Sequence, residues 1–348
     1  MSAEFEAAEA LRRVALDESL KAYVLQHPPL YQAGLQAAMR FIGGETLDEC
    51  VQSAKDINQQ GHAVTIDFMG ESTRDEAMAA QATQEFLEII RAMATGRSET
   101  IAQQKLKASV SLDLSHIGMV IEPEIAYENA SLLAQSAKEG GLEMMISMEG
   151  TDRTTLILDI HQRLCEQFSN VGITLQAYLH RTPTDLSVVL KRPGKIRLVK
   201  GAYDVDKELA YARGAELDAA YRQMMESLIE SDRPCSIATH DADMLSHAHQ
   251  FIKARQLPAR NVEFEMLKGV TVERLDEMRQ RGYSTRVYLP YGKEWHLYLC
   301  NRLAEHPPNL YRALAKPFLR KIADVITKEN LNAIESIPPN TLSTLQGL

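Results

Sequence analysis

Eight short β-like runs alternate with helical stretches along this chain, and that rhythm most constrains the fold. The runs are His62–Met69, Ala108–Leu114, Leu142–Met148, Val171–Leu179, Lys195–Val199, Cys235–Thr239, Asn261–Leu267 and Tyr283–Leu289. Apolar positions at helical spacing fill the segments between them, such as Thr154–Phe168 and Ala210–Ile229. Eight strands alternating with helices, without a domain break, predict an α/β fold of the (β/α)8 TIM-type barrel class. A doubly wound sheet would carry a glycine-rich GxGxxG turn after its first strand. Here that strand runs instead into Asp67-Phe68-Met69-Gly70-Glu71-Ser72.

Residues 1–60 read as an N-terminal helical arm, interrupted at Pro28-Pro29, and residues 61–348 as the barrel with C-terminal helices. The last strand, Arg286-Val287-Tyr288-Leu289, is expected to stop at Pro290 and Gly292. The helix after it, Trp295 to Glu305, has apolar positions at 295, 299 and 303 and carries Arg302 and Glu305. Net charge is −9, which argues against nucleic-acid binding through a basic face. The four cysteines form no CxxC pair, and no signal-peptide pattern or 18-residue apolar run is present. These features suit a reducing cytoplasm, with at most peripheral contact at the inner face of a membrane. A tail helix carrying Lys316, Arg320 and Lys321 is the segment for such contact, although packing is the plainer use of its apolar stripe.

Barrel chemistry sits where strands end. Polar strand-end residues include Asp67 and Glu71, Asp113, Ser147, Gln176, Arg197 and Lys200, Thr239 and His240, Glu265, and Tyr288. Asp67 and Glu71 could be read as the carboxylate pair of a hydrolase, but such pairs usually come from different strands. His247 and His249 diverge on a helix, so no metal is expected there. Arg197 and Lys200 flank a glycine turn in RLVKGAY, which can hold a phosphate or an anionic ring; the plainer alternative is a core strand with charges in its layers.

Taken in order, IDFMGES (66–72), MEGTDR (148–153), LQAYL (175–179), RLVKGAY (197–203), ATHDADML (238–245), FEMLKG (264–269) and RVYLPYG followed by W-x-x-Y-x-x-x-R-x-x-E (286–305) resemble the proline dehydrogenase family. The resemblance spans about residues 62 to 310. It implies a distorted (β/α)8 barrel with FAD at the C-terminal strand ends, oxidising a CH–NH bond of proline to the pyrroline by hydride transfer to flavin N5. It implies cofactor contacts at Gln176, Arg197, Lys200, Gly201, Thr239, His240, Glu265, Arg302 and Glu305. The substrate cage corresponds to Ala202, Tyr203, Leu267 and Tyr288, with Asn301, Arg302 and Asp113 at the carboxylate end. Catalytic roles then fall on Arg197, Tyr203, Tyr288, Asp113 and Arg302.

The chain departs from the family at that end. Asp113 stands where the family carries a Lys, Asn301-Arg302 where it carries two arginines, Ser147 where it carries an Asp, and Glu265 where it carries a Gln. Asp204 replaces an aromatic that often follows the glycine turn, which would weaken stacking on adenine. Each charge-assisted contact contributes roughly 1.5–3 kcal/mol, so losing two costs a carboxylate roughly 3–6 kcal/mol, or ~10²–10⁴ in affinity. Either Asp113 pairs with Arg302 and leaves a neutral site, or the substrate lacks a free α-carboxylate. The expectation is an FAD-dependent dehydrogenase for L-proline or a proline-like cyclic amine. The alternatives are a dehydrogenase for a modified or carrier-tethered cyclic amine in a biosynthetic pathway, and a flavin-binding protein without turnover. Electrons would pass to a quinone or O2. No aldehyde dehydrogenase module follows, so a separate pyrroline-processing enzyme is expected to take the product.

Overall fold

The structure is a computed structural model that describes residue 11 and residues 17–70, 72–95, 106–203 and 205–305. Glu71, Asp204 and the tail with Lys316, Arg320 and Lys321 lie outside the described residues, as does the side chain of Glu305.

All eight expected strands form, and they close on themselves as a parallel barrel in sequence order. They are β1 (Ala63–Phe68), β2 (Ala108–Leu112), β3 (Glu143–Ile146), β4 (Val171–Gln176), β5 (Ile196–Val199), β6 (Cys235–Ala238), β7 (Val262–Leu267) and β8 (Ser284–Tyr291). Helices before and between them are α1 (Glu18–Gln26), α2 (Pro28–Ala38), α3 (Leu47–Gln59), α4 (Glu76–Thr95), α5 (Pro123–Glu139), α6 (Thr154–Cys165), α7 (Thr182–Val189), α8 (Ala215–Glu230), α9 (Ala242–Arg255) and α10 (Val272–Gln280), with α11 (Trp295–Glu305) after β8. Among the described residues no helix is long and apolar enough to cross a membrane.

Strand alternation decides the two faces. Val64 and Ile66, Val110 and Leu112, Ile196 and Leu198, and Phe264 and Met266 are buried in the apolar shell shared with the helices. The α8 face Leu217, Tyr221, Met224, Leu228 packs into the same shell. Each such side chain contributes roughly 1.5–3 kcal/mol on burial, so an Asp at Met224 would open the wall. The alternate positions point inward and are polar: Thr65, Ser111, Thr174, Arg197, Ser236 and Glu265 are buried and bond to one another across the lumen, and buried Arg286 bonds Glu263 and Ser109. Helices satisfy the outer face, so the lumen is free to carry charge.

Pro290 does not end β8 as expected; the strand continues to Tyr291, whose carbonyl accepts from Met69 N. Backbone groups of 290 face the β7 side, and β7 has already ended opposite Tyr288. The donor that proline lacks therefore breaks no paired rung between β7 and β8.

The described residues fall into two compact units, Leu47–Tyr291 and the segments flanking it. Helix α3 thus groups with the barrel unit, which begins at Leu47. Leu47, Cys50, Val51, Ala54 and Ile57 of α3 belong to the barrel core, and α3 covers β1 and β8. The stretch from Gly292 groups with the N-terminal helices rather than with the barrel. Within that smaller unit Trp295 of α11 donates to Glu45 at 2.9 Å, and Tyr31 of α2 meets the same carboxylate and the indole edge. Gly34 permits this packing, since a Cβ there would lie 2.8 Å from the Trp295 ring.

Candidate active site

The C-terminal half of the lumen is built around Arg197 of β5. Its guanidinium donates to Thr174 at 3.0 Å, Ser111 at 3.1 Å and Ser147 at 3.4 Å, and meets Glu265 at 3.4 Å. Glu265 also accepts from Thr65 at 2.9 Å and Ser236 at 2.7 Å. The Glu that replaces the family's Gln is thus paired, which answers the buried charge that the sequence leaves open. Arg197 sits 5.1 Å from the ring centroid of Tyr288. The Tyr288 phenol donates to Asp67 at 2.6 Å. Desolvation pushes the Asp67 carboxyl up to about 6, against the pull of Tyr288 and Arg197. Burial, then the Asp67 charge, drive the Tyr288 phenol well above its ordinary range, and Asp113 adds to it. Asp113 therefore acts on the same phenol; it follows β2 and is half-buried.

Gln176 is buried at the end of β4, where its amide nitrogen donates to the Met148 and Glu149 carbonyls at 3.0 and 3.1 Å. Its amide oxygen has no hydrogen-bond partner among the described residues. Glu149 is held in turn by Ser115 N and Arg153, and Arg153 reaches Ser72, so the loops after β1, β2 and β3 brace each other. Gly201 has φ +116°, and a Cβ there would lie 2.3 Å from the Tyr178 ring. Only glycine fits this turn. Lys200 contacts Asp218 at 2.6 Å and Asp241 at 2.8 Å. Burial works against its charge, but both aspartates outweigh it and hold the ammonium above its usual range. Asp241 also caps α9 through Asp243 N and Met244 N.

Thr239 is buried and accepts from Asp241 N. His240 lies 3.4 Å from both Leu267 N and Thr271, and its carbonyl accepts from Arg274. Leu267 pairs in register with Tyr288. Ala202 and Tyr203 lie in the exposed loop after β5, Tyr203 with 41% exposure. Asn301, Arg302 and Glu305 stand on α11 in the smaller unit, where Arg302 lies 5.2 Å from the Tyr298 ring. Histidines 247 and 249 are used separately, with Glu226 and Tyr283.

The barrel therefore brings together Gln176, Arg197, Glu265, Leu267, Tyr288 and Asp113. Asp67 is the residue that sequence reasoning undervalued, having weighed it only as a hydrolase acid. Its signal is the alternation Thr65-Ile66-Asp67, which puts it on the lumen face. The residues suit the flavin that the resemblance implies. A partnerless buried amide oxygen at Gln176 is an acceptor for an imide N–H, Arg197 supplies a fixed cation, and Gly201 leaves backbone open beside Lys200.

The family model for proline dehydrogenase matches residues 50–310. Proline dehydrogenase 1 of Bacillus subtilis is 32% identical over 272 residues, covering 78% of this chain and 87% of its own length. Proline dehydrogenase of Deinococcus radiodurans is 29% identical over 296 residues, covering 82% and 93%. Among solved structures, proline utilization A from Bdellovibrio bacteriovorus, inactivated by N-propargylglycine, superposes with a TM-score of 0.73 at 22% identity. That match covers 93% of this chain but 39% of the longer protein, and it speaks to the fold. Together with the ordered strand-end motifs, the family match places the chain in the proline dehydrogenase family, as an oxidoreductase.

Proposed function

We propose that the chain is an FAD-dependent dehydrogenase that oxidises the CH–NH bond of L-proline or a proline-like cyclic amine to the imine. The observation that carries this reading is the convergence of Gln176, Arg197, Leu267 and Tyr288 at the C-terminal end of one barrel of this family. A bound flavin supplies the two-electron acceptor for the hydride that leaves the ring carbon beside nitrogen. Arg197 would supply a fixed cation for an anionic cofactor ring, because three hydroxyls already hold its guanidinium and it needs no reorganisation. Gln176 would hold the ring through its amide oxygen, with Lys200, Gly201, Thr239 and His240 along the cofactor's length. Leu267 and Tyr288, with Ala202 and Tyr203 from the loop, would fix the substrate ring. Electrons would leave to a quinone or O2, and the pyrroline would pass to a separate enzyme.

One observation favours an amine whose carboxylate is masked or missing. Asp113 and Asp67 both act on Tyr288, so the mouth is acidic where a carboxylate would sit. The test is an anaerobic visible spectrum of purified protein before and after substrate. Bleaching of flavin bands by excess L-proline supports the proline reading. Bleaching only by a pyrrolidine with an esterified carboxylate supports the second. Absence of flavin bands after incubation with FAD removes both.

A further inference from the structure

Tyr288 and Asp67 come from the two strands that close the barrel, β8 and β1, and their side chains share a 2.6 Å hydrogen bond. Four titratable or charged groups act on Asp67: Tyr288 and Tyr291 from β8, Arg197 from β5 and Cys50 from α3. Arg197 is the only cation among them. It is already committed to Glu265 and three hydroxyls. Asp67 therefore shares its one cation with Glu265, and among the described residues the side chain that hydrogen-bonds it is the Tyr288 phenol.

A cyclic secondary amine reaches neutral solution as its ammonium ion. It must lose that proton before the carbon beside nitrogen can give up a hydride, because the nitrogen lone pair drives the departure. An acceptor within reach of the nitrogen is therefore required.

We propose that Tyr288 and Asp67 act together as that acceptor: the ammonium N–H passes its proton to Tyr288 Oη while Tyr288 passes its phenolic proton to Asp67 Oδ2. The N–H and old Oη–H bonds break, a new Oη–H and an Oδ2–H form, and nothing is oxidised in this step. The hydride then leaves the neutral amine. This inference rests on the function proposed above. Desolvation works for it at both ends, since removing the amine from water lowers its pKa and the burial of Asp67 raises that carboxyl to about 6. Tyr288 is the group that touches substrate; Asp67 acts through it and is a positioning and proton-storing residue.

The test combines a pH–rate profile with an optical titration. Wild-type kcat/KM should rise through an acid limb near pH 6, as the Asp67 carboxyl ionises. Asp67→Asn should abolish that limb and lower kcat/KM at neutral pH roughly 10²-fold, with circular dichroism unchanged. Asp67→Glu should restore a limb, and Tyr288→Phe should lose it as Asp67→Asn does. In cofactor-free protein, a tyrosine ultraviolet difference signal should titrate with the same midpoint in wild type and vanish in Asp67→Asn and Tyr288→Phe. A limb that survives in a folded Asp67→Asn variant, or a loss confined to KM, overturns the proton role while the dehydrogenase stands. A wild-type flavoprotein that no cyclic amine bleaches overturns the dehydrogenase reading and the proton role together.

Discussion

The lumen holds two charged layers, one above the other. In the lower layer Arg286 meets Glu263 at 2.8 Å, and Lys195 meets Glu263 at 3.3 Å and Glu143 at 2.7 Å. Two cations face two carboxylates, and Arg286 also donates to Ser109 and the Val64 carbonyl. Burial works against the Glu263 charge, yet Arg286 and Lys195 hold its carboxyl below the usual range. In the upper layer one cation, Arg197, serves two carboxylates, Glu265 and Asp67. Glu265 takes the direct contact, and Asp67 is left to desolvation. The same residue types thus give a closed network below and a poised one above. The difference lies in direct pairing: Glu263 touches Arg286 and Lys195, whereas among the described residues Asp67 touches no cation.

The strongest way to break the comparison is Arg286→Met. It leaves Glu263 buried with only Lys195, and removing one partner of a buried pair costs about 3–5 kcal/mol. Urea denaturation at neutral pH should register that loss. A smaller and pH-dependent effect is expected above. The Asp67 carboxyl is raised in the fold, from 3.8 to about 6, so the folded state holds more protons than the unfolded one across that interval. Wild-type stability should therefore fall as pH rises from about 4 to about 6 and stay flat beyond, by up to about 3 kcal/mol from this group. Thermal melts of Asp67→Asn should show its advantage over wild type growing through the same interval. An advantage that shrinks with rising pH would mean the upper layer behaves like the lower one. Gly201→Ala tests the turn beside the layer; with φ +116° and the Tyr178 ring in the way, it should cost about 1–3 kcal/mol by calorimetry. Glu265→Gln should be mildest, about 1–2 kcal/mol, because the amide oxygen still accepts from one of the hydroxyls of Thr65 and Ser236 and the amide nitrogen can donate to the other. Its informative readout is flavin midpoint potential, which should rise once Arg197 is no longer neutralised.

Much of this was legible in the residues. The alternation in Thr65-Ile66-Asp67 and Ser109-Val110-Ser111 separates two faces, and the structure decides which of them points inward. The rhythm of strands and helices gives the barrel, and the ordered strand-end motifs give the family. Pro290 shows where local rules fall short. A proline reads as a strand end, but whether its missing donor matters depends on the length of the neighbouring strand. Glu265 shows it again, since its partners lie on β1, β5 and β6.

The sequence by itself determined the fold class and the set of polar groups at the strand ends, because hydrophobic period and turn chemistry act over a few residues. Only the tertiary structure decided which charges meet. Tyr288 and Asp67 are 221 positions apart and become neighbours when the eighth strand pairs with the first. Likewise Lys200 finds Asp218 and Asp241 on separate segments, and Arg197 is shared among four strands. Coulomb energies depend on distance through space, and closure of the barrel is the step that sets those distances.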